Sequence, residues 1–112
     1  MRRQRKRLQP GSPLFNEVFE TAARVYPDDP AANLNAANAA IAARSYFNAA
    51  AYLAKAGNSP EAEYARAVLA ALTGDYAKSA ADLDRAVKAG YKGTDDDVAK
   101  LREFIDAASN SF

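Results

Sequence analysis

Residues 33–56 read NLNAANAAIAARSYFNAAAYLAKA, and residues 63–86 read EYARAVLAALTGDYAKSAADLDRA. At an offset of 30 residues, the two stretches have the same residue at seven positions. Most of the matches are alanines, which are abundant in this chain. The more informative pairs are Tyr46/Tyr76 and Leu53/Leu83. A repeat of this length is typical of stacked helical units that bury their apolar faces only against one another. It predicts an architecture and leaves the partner open.

Length and composition are those of one ordinary globular domain. The chain has 112 residues, of which 49% are hydrophobic and 26% are charged, and its net charge is +1. Basic residues concentrate in the segment 2–7, so the rest of the chain is mildly acidic. We expect residues 1–12 to form a disordered basic tail and residues 13–112 to form the single domain. The tail has no aromatic residue and no amphipathic pattern, so we expect no nucleic-acid partner.

The composition also limits the chemistry. The chain contains no Cys and no His, which leaves no thiol nucleophile, no histidine base and no zinc site of the usual ligand types. The acidic clusters at 28–29 and 95–97 stand at predicted helix starts, where carboxylates favour the positive end of the helix dipole. We therefore expect no enzyme, no cofactor and no metal. No apolar run approaches the ~18–20 residues of a membrane span, so we expect no direct membrane insertion.

Proline and glycine divide the chain into helical segments. Ser-Pro or Asp-Pro pairs at 12–13, 29–30 and 59–60 each place an N-cap residue before a proline suited to the first helical position. Thr94 predicts a further start. Between these points apolar residues recur with the helical period. The pattern predicts no strand and six helices, near 13–26, 30–43, 46–56, 60–72, 76–89 and 95–108. The fold class is all-α.

Loop lengths indicate how the predicted helices pair. The connections at 44–45 and 73–75 are so short that each folds a helix back on its predecessor. The prediction is an antiparallel helix-hairpin solenoid of about two and a half repeats, with the last helix as a C-terminal cap. Leu53 and Leu83 are expected to fill the space between successive hairpins. We expect a monomer.

The turn Gly74-Asp75-Tyr76, with Ala67 before it and Leu83 after it, resembles a tetratricopeptide repeat. The resemblance spans about residues 13–89, although the offset here is 30 rather than the family's period of about 34 residues. It implies a non-catalytic module that binds a protein or peptide through the face formed by the first helices of the repeats.

Residues 12–40 and 59–76 also resemble repeat segments in large envelope proteins of Gram-negative anaerobes. In those proteins the helical repeats accompany an outer-membrane-protein-A-like domain that binds peptidoglycan. This resemblance implies that the chain is part of a longer protein and is periplasmic or associated with the outer membrane; without it, a cytoplasmic location is expected. The alternative function is a structural spacer of the cell envelope with no ligand in its groove.

Three asparagines in one predicted helix suggest a binding site, because asparagine is unfavourable inside helices. Asn35 and Asn38 are three residues apart and share a face, whereas Asn33 points elsewhere. The tetratricopeptide resemblance places Asn35 and Asn38 at groove-lining positions, so the candidate peptide-binding residues are Asn35, Asn38 and Tyr64. The family's carboxylate clamp also needs lysines, which the matching positions here lack. The alternative is that the amides hydrogen-bond a neighbouring helix or water.

Overall fold

A computed structural model describes residues 13–93 and 96–110, with side chains described from residue 17 onward. The segment 1–12, expected as a tail, and Thr94, expected as a helix start, lie outside the described residues. The described residues form six helices and no strand, which confirms the all-α class. The helices are α1 (Pro13–Val25), α2 (Pro30–Ala42), α3 (Tyr46–Leu53), α4 (Pro60–Leu72), α5 (Tyr76–Lys88) and α6 (Asp97–Ser109).

Side-chain caps start α2 and α4 where the sequence predicts them. The Asp29 carboxylate accepts a hydrogen bond from the Ala31 N–H over 3.2 Å. The Ser59 hydroxyl likewise accepts from the Ala62 N–H over 3.1 Å. Each cap satisfies one of the backbone donors that a helix start leaves unpaired.

Two predicted boundaries are wrong by two or three residues. α3 ends at Leu53 rather than at residue 56, because the Ala56 N–H bonds the carbonyl three residues earlier, at Leu53, and the chain turns. α6 begins at Asp97 rather than at residue 95, after the N-cap residue Asp96.

The turns after α2 and α4 share one backbone geometry. The Ser45 N–H donates to the Ala40 carbonyl over 2.8 Å, and the Asp75 N–H donates to the Ala70 carbonyl over the same distance. The residue before each donor has a positive φ, 62° in the first turn and 88° in the second. Turns this short reverse the chain, so α2/α3 (the first hairpin) and α4/α5 (the second hairpin) are antiparallel pairs.

The helices pack against their neighbours in the sequence and, in two cases, against the helix after next. Each helix packs against its neighbours in the sequence, and the most extensive packing is within the second hairpin. In addition, α2 packs on α4, and α4 packs on α6. The first helix of each hairpin, α2 or α4, therefore contacts the helix that follows that hairpin, α4 or α6 respectively.

The core consists mainly of alanines around two leucines. Leu53 is 3% exposed and packs among alanines of α2 and α4. Leu83 is fully buried among alanines of α4 and Ile105 of α6. Alanine leaves only a methyl group between helix backbones, so the axes approach closely and each leucine fills the remaining space. The prediction that both leucines are buried is confirmed.

The last helix covers the open side of the second hairpin. Ile105 is buried against the Leu83 cluster, and Val98 and Leu101 pack on it while remaining partly exposed. α6 packs on α5 and also on α4. No helix in the described part of the chain is long and apolar enough to cross a lipid bilayer.

Candidate functional site

The three asparagines of α2 have different environments. Asn35 and Asn38 are exposed, and neither makes a side-chain hydrogen bond within the described ranges. Asn33 is 2% exposed, and its Nδ2 donates to the carbonyls of Pro27 and Asp29, each over 3.0 Å. Asn33 therefore ties the α1–α2 connection to α2, which is a structural role.

Tyr64 links α4 to the start of α6. Its ring stacks on that of Tyr91, with centroids 4.2 Å apart and planes 5° from parallel. The Tyr64 hydroxyl donates to the Asp97 carbonyl oxygen over 3.5 Å, and the Tyr91 hydroxyl donates to Asp97 Oδ2 over 3.2 Å. Neither Asn35 nor Asn38 takes part in these contacts.

Burial raises the pKa of both phenols of this stack above the ordinary value. Desolvation, followed by the hydrogen bond to Asp97, raises the pKa of Tyr91 to about 12. Desolvation, followed by the negative charge of Asp97, also raises the pKa of Tyr64. At neutral pH both hydroxyls are therefore hydrogen-bond donors, and neither is available as a general base.

A groove of about 340 Å³ lies between α4 and α6. Tyr64 near the start of α4 meets Asp97 at the start of α6, and Leu72 at the end of α4 lines the same groove as Phe104, so the two helices run in the same direction. Leu72 and Phe104 are 43% and 46% exposed at one end of the groove. The groove is lined by Tyr64, Val68, Ala71, Leu72, Asp97, Lys100, Leu101 and Phe104.

The walls of this groove are mostly apolar. Its charged residues are Lys100 and Asp97, and the Asp97 carboxylate accepts a hydrogen bond from the Tyr91 hydroxyl. Within the described residues Lys100 makes no ion pair. Phe104 is held by an edge-on contact with Tyr76, with centroids 6.3 Å apart. The volume is near the lower end of the ~300–1,000 Å³ of ligand pockets. The groove can therefore receive one or two apolar side chains beside a carboxylate.

Of the residues predicted for the site, Tyr64 lines this groove and Asn35 and Asn38 do not. Tyr91 and Phe104 are the aromatic residues that sequence reasoning missed. Tyr91 stands in a connection between two glycines, where an aromatic residue is unusual and is a signal that it packs elsewhere. Phe104 directly precedes the buried Ile105, so the apolar surface of α6 is wider than one buried stripe needs.

The second hairpin also holds a charged network. Arg66 Nη2 donates to the carbonyl of Leu53 at the end of α3, over 2.7 Å, and to that of Gly57 in the following connection, over 2.6 Å. Glu63 Oε1 lies 3.6 Å from Arg66 Nη1 and 3.7 Å from Arg85 Nε.

The remaining member of the network is Asp82, which is fully buried. It pairs with Lys78 Nζ over 2.7 Å and with Arg85 Nη2. Each buried carboxylate oxygen thus has a cationic partner, as a buried charge requires. No three acidic side chains of the described ranges converge in a way that could hold a metal ion.

Comparison with protein-family models, with curated proteins and with solved structures found no match for this chain.

Proposed function

We propose that this chain is a non-catalytic peptide-binding module of about two and a half tetratricopeptide-like repeats, with α6 capping the array. Three observations support the repeat arrangement. The two hairpins have the same turn hydrogen bond, Leu53 and Leu83 are buried alike, and α2, α4 and α6 pack in succession.

The apolar groove between α4 and α6 is the observation that carries the proposed function. Leu72 and Phe104 are two large apolar side chains that remain partly exposed and line the same concave surface. Exposed apolar side chains that cluster in this way mark interaction sites more often than singly scattered ones. The residues that form the groove contain no nucleophile–base pair, so the site favours binding over catalysis.

Charge and shape favour one class of ligand, an extended peptide with an apolar side chain next to a carboxylate. The apolar side chain lies against Val68, Leu72 and Phe104, and the carboxylate pairs with Lys100. A longer peptide continues from α4 toward α2, which packs on α4, and there the exposed Asn35 and Asn38 contact its backbone.

The test is selection from a display library of random peptides, followed by affinity measurements on variants of the exposed groove residues. Leu72→Ser and Phe104→Ser should each weaken binding of a selected peptide about tenfold or more, as expected for apolar anchors. Val87→Ser is the matched control, because Val87 is also 43% exposed but lies on α5 outside the groove. The control should bind as the parent does.

Two results would count against the proposal. Selected peptides that bind Leu72→Ser and Phe104→Ser as tightly as the parent would place the binding surface elsewhere. Failure to select any peptide would favour the alternative function, a structural spacer in an envelope protein.

A further inference from the structure

A second cavity, of about 360 Å³, lies between α1, α2 and α3. It shares no lining residue with the groove between α4 and α6. Its polar lining residues are Arg24, Asn33, Tyr52 and Lys55.

The corresponding place in the second hairpin is filled. Thirty residues after Ala36 stands Arg66, whose guanidinium donates to the carbonyls of Leu53 and Gly57. The same comparison pairs Gly57 with Pro27, which lines the cavity. Ala36 is fully buried, and its side chain is only a methyl group. The cavity between α1, α2 and α3 therefore has no side chain that corresponds to that of Arg66.

The charges differ between the two places. In the second hairpin, Arg85 pairs with two carboxylates, those of Asp82 and Glu63. Thirty residues earlier the cation is kept as Lys55, but both carboxylates are replaced by neutral side chains, Tyr52 and Asn33. Lys55 is therefore left without the partners that its counterpart has.

Both charged residues that line the cavity are cations without an ion pair in the described part of the chain. Arg24 Nη2 donates to the Thr21 hydroxyl over 3.0 Å, and no carboxylate of the described residues pairs with it. Glu20 accepts a hydrogen bond from the Tyr52 hydroxyl over 3.2 Å and pairs with neither cation. A guanidinium bound in this cavity, at the position that corresponds to Arg66, would be repelled by the positive charges of Arg24 and Lys55. An anion bound there would be attracted by both.

Asn33 adds a buried acceptor. Its Nδ2 is satisfied by two carbonyls, but its Oδ1 accepts no hydrogen bond from the described residues. The side chain lines the cavity and the residue is 2% exposed. A buried amide oxygen without a donor is unfavourable, so a ligand N–H at this point would be stabilising.

We propose that this cavity binds a carboxylate with an amide N–H beside it, as in an N-acylated amino acid or the C-terminal residue of a peptide. The carboxylate lies between Arg24 and Lys55, and the N–H donates to Asn33 Oδ1. This site is separate from the groove and does not depend on the function proposed for it.

The experiment is a two-dimensional NMR titration of the whole chain with small probes. N-acetylalanine should produce saturable shifts of the Asn33 side-chain amide and of the Lys55 backbone amide. N-acetylalaninamide, which lacks the charge, and agmatine, which carries a guanidinium, should not. A tripeptide ending in alanine separates the two sources: tighter binding than N-acetylalanine indicates a chain terminus, and equal binding indicates the small acid.

Lys55→Gln should weaken binding of N-acetylalanine about tenfold, the loss expected for one charge-assisted hydrogen bond. Lys88→Gln is the matched control, because it removes the same charge from an exposed position on α5 outside the cavity. Equal binding of the carboxamide, preferential binding of agmatine, absence of a saturable shift, or equal affinity of Lys55→Gln and Lys88→Gln would each overturn the proposal.

Discussion

Arg66 caps the end of α3 from a neighbouring helix. The Arg66 guanidinium donates to the carbonyl of Leu53, the last residue of α3, which also accepts from the Ala56 N–H. It donates as well to the carbonyl of Gly57, in the turn that follows α3. Its role depends on where α3 ends, which local sequence does not determine.

Replacing this cap should lower stability by a measurable amount. Arg66→Met keeps the apolar stem but removes the donors, and we expect a loss of about 1.5–3 kcal/mol in the free energy of unfolding. Arg102→Met is the control, because Arg102 pairs with Asp84 where the two side chains are 44% and 58% exposed; its loss should stay below about 1 kcal/mol. Urea denaturation measures both. Equal losses would mean that the guanidinium is not a cap.

The sequence predicts the burial of some residues well, but it does not predict which distant residues lie next to each other. Burial of Leu53 and Leu83 follows from their position in a helical apolar pattern. Tyr64 was predicted for a peptide-binding site, and the structure shows that it lines the groove between α4 and α6. Its neighbours were not predicted, because Tyr91 and Phe104 come close to it only through tertiary packing.

Among the elements, the two hairpin turns are the most informative. Both need a residue with a positive φ, which Gly74 adopts without cost and Arg44 adopts with strain. A Cβ added to Gly74 would meet no atom within 4 Å, so any penalty of a substitution there comes from backbone conformation alone.

Placing glycine at position 44 and alanine at position 74 should change the free energy of unfolding in opposite directions. Arg44→Gly should stabilise the chain by about 0.5–1 kcal/mol, because strain relief exceeds the added entropy of the unfolded chain. Gly74→Ala should destabilise it by about 1 kcal/mol. The control is Ala43→Gly, where φ is −87° and glycine brings only the entropy cost, so stability should fall. A melting temperature of Arg44→Gly below that of the parent chain would contradict the inference that the Arg44 backbone is strained.

Helix starts were more predictable than helix ends. Asp29 and Ser59 form local caps that the sequence shows directly. The end of α3 was placed too late, because residues 54–56 include two alanines with high helix propensity. Their conformation is decided by the turn and by the contact from Arg66, both of which lie beyond local propensity.

In the whole molecule, α6 covers the second hairpin and also forms one wall of the groove. The first role follows from the apolar stripe of α6. The second could not be predicted, since it depends on where α6 lies beside α4 in the tertiary structure. That placement uses the stack of Tyr64 on Tyr91 and their hydrogen bonds to Asp97. For the same reason, Asn35 and Asn38 were grouped with a tyrosine that they do not contact.

The central claim is that the two hairpins are equivalent units of one stacked array, and paired leucine truncation tests it most directly. Leu53→Ala and Leu83→Ala should each lower the free energy of unfolding by roughly 2–5 kcal/mol, because each leaves a cavity at the same place of its unit. Leu72→Ala, at a leucine that is 43% exposed, should cost less than about 1 kcal/mol. Chemical denaturation gives all three values. A loss below about 1 kcal/mol at Leu53 or at Leu83 would contradict the equivalence of the two hairpins.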